Sequence, residues 1–118
     1  MASFIRGRLR GFGFAVKGAF MLLKTEDSIQ VQAIITVLMT IAGFYFEITA
    51  IEWMLQIFAI GLVISIEGLN TAIEEMANFV HPNFNKKIGV IKDVAAGAVF
   101  FAALTAVVIG CFIYFPKL

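Results

Sequence analysis

Ser65–Val80 reads SIEGLNTAIEEMANFV and continues the apolar run MLQIFAIGLVISI that starts at Met54. The run is long enough to enter a bilayer, so the polar residues at its end are out of place. Glu67, Asn70 and Glu74 fall at i, i+3 and i+7. On a helix turning 100° per residue, they share one stripe about 60° wide. A carboxylate on a membrane helix is costly and marks a functional site by default. Two carboxylates and an amide on one stripe strengthen that expectation. Carboxylate oxygens suit a hard cation such as Mg²⁺, which commonly arrives with phosphate. A carboxylate not used by the metal can act as a general base.

Composition agrees with a membrane setting. The chain has 118 residues, 61% hydrophobic and 14% charged, against about 25% charged in soluble domains. The length allows a single domain, 1–118. The net charge of +1 says less than its distribution, and no nucleic-acid partner is expected. One cysteine, Cys111, sits in an apolar run and reads as a small filler. One histidine, His81, precedes Pro82 and reads as a loop residue. The basic N-terminus lacks the long apolar stretch of a signal peptide.

Residues 4–24 have the pattern of an amphipathic surface helix. Ile5, Leu9, Phe12, Val16, Phe20 and Leu23 form one apolar stripe, and Arg6, Arg10, Lys17 and Lys24 a second, basic one. GFGFAVKG is not a dinucleotide fingerprint, because Val16 stands where a third glycine belongs and no strand precedes it. A polar break follows. Thr25 is a candidate cap for the next helix, and Glu26 and Asp27 suit its first turn. Glu26 alone reads equally well as a capping acid. Spanning helices are expected at 29–46, 53–80 and 94–115. Between the last two, the polar return HPNFNKKIGVIKD covers 81–93. Glu75, Asp27, Lys86 and Lys87 read as solvated. The second span is longer than a bilayer core, so Glu67 is expected near its boundary and Glu74 beyond it.

Eight of the nine Lys and Arg residues lie in the N-terminal segment or the second loop; the 47–52 turn has none. The positive-inside rule places both basic segments in the cytoplasm and the C-terminus outside. Glu26, Glu67, Asn70, Glu74, Lys92 and Asp93 then converge on the cytoplasmic side, where ATP is available.

These residues resemble the prokaryotic diacylglycerol kinase family of small integral-membrane lipid kinases. The match lies in EGLNTAIE (67–74), in KDVAAGAV from Lys92, and in Glu26 at the start of the first span. The KDVAAGAV wording looks more like the undecaprenol-kinase branch. The resemblance implies a homotrimer whose active sites are built between neighbouring subunits of a bacterial inner membrane. It implies transfer of the γ-phosphate of Mg·ATP to the hydroxyl of a lipid alcohol, undecaprenol or diacylglycerol. By motif match, Glu67 is the general base, Glu26 and Glu74 hold the metal, and Asn70 positions groups beside the base. Lys92 and Asp93 contact nucleotide, and Arg6 or Arg8 reaches phosphate.

The chain departs from the family pattern at three places. Asn78 stands where Asp is frequent. Asn83-Phe84-Asn85 replaces a Glu-Tyr-His segment near the adenine. Phe14 occupies a site where a hydroxylated aromatic is common. Two other expectations compete with the kinase: a small oligomeric ion or proton transporter using Glu67, and a non-catalytic family member.

Overall fold

Thr49 decides where the longest helix starts. Its hydroxyl accepts the Glu52 N–H at 3.2 Å, and the Glu52 carboxylate accepts the Thr49 N–H at 2.9 Å. This reciprocal cap satisfies two N–H groups at and near the helix start. In the computed structural model, which describes residues 1–118, four helices follow one another. They are α1 (Ala2–Thr25), α2 (Asp27–Tyr45), α3 (Ala50–Val80) and α4 (Lys86–Tyr114), with a 3-10 turn at Phe115–Lys117. Three of them, α2, α3 and α4 with its terminal turn, are long and apolar enough to cross a membrane. The protein is an all-helical, multi-pass membrane protein.

Two boundaries differ from expectation by three residues or more. α3 begins three residues before 53, at the Thr49 cap. α4 begins eight residues before 94, so the polar return shrinks to 81–85. The cause is Asn85, whose Oδ1 accepts the N–H groups of Lys87 at 2.9 Å and Ile88 at 3.3 Å. That is an N-cap. Lys86, Lys87, Lys92 and Asp93 are therefore helical. Thr25 does not cap α2 either. It ends α1 with its hydroxyl on the Met21 carbonyl at 2.7 Å, and Glu26 occupies the N-cap position without a side-chain cap bond.

α3 and α4 form the principal antiparallel pair. Ala59, Val63 and Ala77 of α3 and Ala95, Ala102 and Ile113 of α4 are buried; five of the six are alanine or valine, which lets backbones approach closely. α2 packs on α3 at Gly43, beneath the Trp53 ring. At this end the polar groups are matched internally. Gln56, 5% exposed, donates to the Met39 carbonyl at 2.9 Å and accepts from the Tyr114 hydroxyl at 2.5 Å. Lys117 meets Glu52 at 3.0 Å.

α1 behaves differently. None of its residues is buried, and its apolar side chains, Phe12 and Phe20 among them, are exposed. The molecule measures 49 × 47 × 23 Å. α3 alone accounts for about 45 Å at 1.5 Å per residue. A second dimension of similar size requires α1 to swing out sideways from the bundle. The turn is made at Glu26, whose extended backbone (φ −106°, ψ 114°) separates the two helices.

Candidate active site

The α1–α2 elbow meets α3 at a glycine. A Cβ on Gly68 would stand 3.1 Å from Leu22 Cδ1. Leu22 lies one helical turn before Glu26, whose N–H bonds the Leu22 carbonyl at 3.0 Å. The elbow carrying Glu26 is thus seated on α3 at the glycine that follows Glu67, about 100° around the helix from it. A second device holds it. Gln30 donates through Nε2 to the carbonyls of Leu23 at 3.1 Å and Lys24 at 3.2 Å. Those carbonyls end α1 and have no helical partner, so the side chain of Gln30 bridges the bend on which Glu26 stands.

On α3 the stripe is linked along its length. Asn70 donates through Nδ2 to Glu74 Oε1 at 3.2 Å. Its Oδ1 is buried and without a partner. A buried acceptor left unpaired costs free energy, and here it sits one turn from Glu67. Glu67 is half-buried and Glu74 exposed. One turn further on, Asn78 Oδ1 accepts from Lys92 Nζ at 2.6 Å across to α4. Asp93 is exposed and makes no ion pair.

The other expected site residues lie apart from this line. Arg6, Arg8 and Phe14 are exposed on the outswung α1. Asn83 and Phe84 are exposed in the α3–α4 loop, where the Asn83 carbonyl bonds His81 Nδ1 at 2.8 Å. Asn85 spends its side-chain oxygen on capping α4. Asn78, Gln30 and Gly68 were not among the expected site residues. Asn78 had a sequence signal, since it lies four residues beyond Glu74 on the same stripe. Gln30 lies four residues after Glu26, a weaker cue. Gly68 had none beyond standing next to Glu67.

The donors present fit Mg²⁺ in one way. No three acidic, His or Cys side chains form a cage within the chain. Mg²⁺ is usually held by one or two carboxylates together with phosphate oxygens and water. Glu74, one of whose oxygens accepts from Asn70, and Glu26 are carboxylates of the kind such a site uses.

The profile of the prokaryotic diacylglycerol kinase family matches residues 13–114. The undecaprenol kinase of Bacillus subtilis (strain 168) is 36% identical over 109 residues, covering 92% of this chain and 89% of that protein. The diacylglycerol kinase of Escherichia coli (strain K12) is 25% identical over 103 residues, covering 87% and 84%. The diacylglycerol kinase of Synechocystis sp. is 29% identical over 111 residues, covering 93% and 63%.

Proposed function

The chain belongs to the prokaryotic diacylglycerol kinase family and is a membrane lipid kinase, and from that premise we propose that it moves the γ-phosphate of Mg·ATP onto the hydroxyl of undecaprenol. The observation that carries the choice of lipid is the difference in likeness. Identity is 36% to an undecaprenol kinase and 25% to an enterobacterial diacylglycerol kinase, over similar coverage.

Phosphoryl transfer asks for positioning and charge neutralisation more than covalent help. Glu67 takes the proton of the lipid hydroxyl as its oxygen attacks the γ-phosphorus. The bond from that phosphorus to the β–γ bridging oxygen breaks, and ADP leaves. The unpaired Oδ1 of Asn70 is an acceptor for a donor arriving beside Glu67, one other than the reacting hydroxyl, whose single proton goes to Glu67. Lys92 faces phosphate, Asp93 contacts nucleotide, and Arg6 or Arg8 approaches from α1. Asn83 and Phe84 lie on the adenine side, and Phe14 packs without a hydrogen bond. Glu26 and Glu74 would hold Mg²⁺, which when bound would neutralise charge on the phosphates.

The exposed apolar stripe of α1 and the basic residues beside it support a helix lying on an anionic membrane surface. Positive charge at that end supports a cytoplasmic N-terminus in a bacterial inner membrane. Glu74 and Asp93 are exposed in the single chain, which supports completion by a neighbouring copy in a homotrimer.

The test is transfer of radiolabelled γ-phosphate in lipid–detergent micelles, with undecaprenol and diacylglycerol offered separately and ATP and GTP each tried. Label on undecaprenol is expected. Label on diacylglycerol alone would replace the substrate, and label from GTP alone would replace the donor.

A further inference from the structure

Lys92 is the lysine of α4 whose ammonium is held by another side chain, and its holder is a neutral amide. We infer that Asn78 is a positioning residue for phosphoryl transfer: it aims the Lys92 ammonium along the Glu67–Asn70–Glu74 stripe without neutralising it. The inference rests on Lys92 being the phosphate-facing cation.

Register comes first. Asn78 lies eleven residues after Glu67, so the stripe of Glu67, Asn70, Glu74 and Asn78 is about 80° wide on an ideal helix. An ammonium fixed to Asn78 is therefore fixed on the face that carries Glu67 and Glu74. Lys86 and Lys87, one to two turns earlier on α4, are exposed, whereas Lys92 is half-buried. Lys86 and Lys87 have no side-chain partner.

Charge comes second. The one ion pair in the chain joins Lys117 to Glu52 at the opposite end of the bundle, so no carboxylate compensates Lys92. An amide oxygen takes one of the three ammonium donors and leaves two, with the full charge, for phosphate oxygens. A carboxylate in the same place would form a charge-assisted bond, and ATP would have to compete with it. Holding the ammonium beforehand also spares part of the lysine rotamer entropy that binding would otherwise cost.

The test compares Asn78→Asp, Asn78→Leu and Lys92→Met in lipid–detergent micelles. It measures kcat, KM for ATP, affinity for a non-hydrolysable ATP analogue, and their dependence on ionic strength. The isosteric Asn78→Asp keeps the geometry and adds the charge. It is expected to raise KM and weaken analogue binding about threefold to tenfold, as a charge-assisted competitor would, with a shallower salt dependence and kcat within about twofold. Asn78→Leu is expected to lower kcat as well, because the ammonium is no longer aimed. If Lys92→Met weakens ATP binding while Asn78→Asp leaves it unchanged, the inference fails and the role of Lys92 survives. If Lys92→Met itself leaves ATP binding unchanged, the phosphate-facing role of Lys92 fails and takes the inference with it. A loss of thermal stability alone, with KM and salt dependence unmoved in all Asn78 variants, makes Asn78 a helix clasp and overturns the inference.

Discussion

Gly68 and Leu22 touch where the α1–α2 elbow meets α3: a Cβ at position 68 would lie 3.1 Å from Leu22 Cδ1. The obstructing atom is the far end of a flexible side chain and can retreat by a few tenths of an ångström. Gly68→Ala also gains helix propensity of about 1 kcal/mol. Its stability is expected within about 1 kcal/mol of the parent. Gly68→Leu has no such room and is expected to lift the elbow and lose most transfer activity. Thermal unfolding and transfer rates of the two variants check the contrast.

Glu67→Gln should abolish transfer while leaving nucleotide affinity close to that of the parent, because the shape and hydrogen-bonding reach stay and the proton acceptor goes. Analogue binding and turnover, measured on the same preparation, decide it. Near-normal turnover would remove Glu67 from the role of base.

Glu26→Gln and Glu74→Gln should each raise the Mg²⁺ concentration needed for half-maximal rate, since an amide is a poorer ligand for a hard cation than a carboxylate. Glu74→Gln should carry an added loss through its bond from Asn70. Unchanged Mg²⁺ titrations in both variants would put the metal elsewhere.

Gln30→Leu leaves the Leu23 and Lys24 carbonyls to water. Both are exposed, so the stability cost should stay within about 1 kcal/mol. The expected effect is functional: a higher Mg²⁺ requirement in the same direction as Glu26→Gln, through a looser elbow. Gln30→Lys, whose ammonium can donate to the same carbonyls, is expected to restore part of it. A Mg²⁺ titration on Gln30→Leu that matches the parent would leave Gln30 with no part in placing Glu26.

Gly43→Ala probes the opposite end. Its Cβ would fall 2.5 Å from Trp53 Cη2 and 2.8 Å from Cζ2. An indole ring cannot give way as a leucine methyl does, so overpacking should cost about 1–3 kcal/mol. The fraction that remains folded should transfer phosphate at the parental rate. Activity per folded molecule, set against the melting temperature, separates the two effects.

The helices were legible where periodicity and composition agree. The Glu67–Asn70–Glu74 stripe is local geometry, so spacing alone exposes it. The start of α4 was hidden because three lysines and an aspartate within 86–93 look like a loop. The helical signal there is the seven-residue spacing of Ile88 and Ala95, with Asn85 as the cap. The contact between Gln56 and Tyr114 spans 58 positions, and no pattern along the chain announces it. The same holds for Gly68 against Leu22 and for Asn78 against Lys92. In each case a side chain is placed by another helix rather than by its own.

The matched polar contacts of Gln56, Tyr114, Glu52 and Lys117 make the end of the bundle opposite Glu74 a fulcrum. Glu74 lies eighteen residues along α3 from Gln56, an arm of about 27 Å. A tilt of about 3° around that pinned end carries Glu74 through about 1.4 Å on the same helix geometry, a displacement of the size that costs catalysis dearly. Helix tilt is the response of a long span to a bilayer of the wrong thickness. On this lever geometry, turnover measured across bilayers of graded acyl length should pass through an optimum. A flat profile would mean that the pinned end does not transmit tilt.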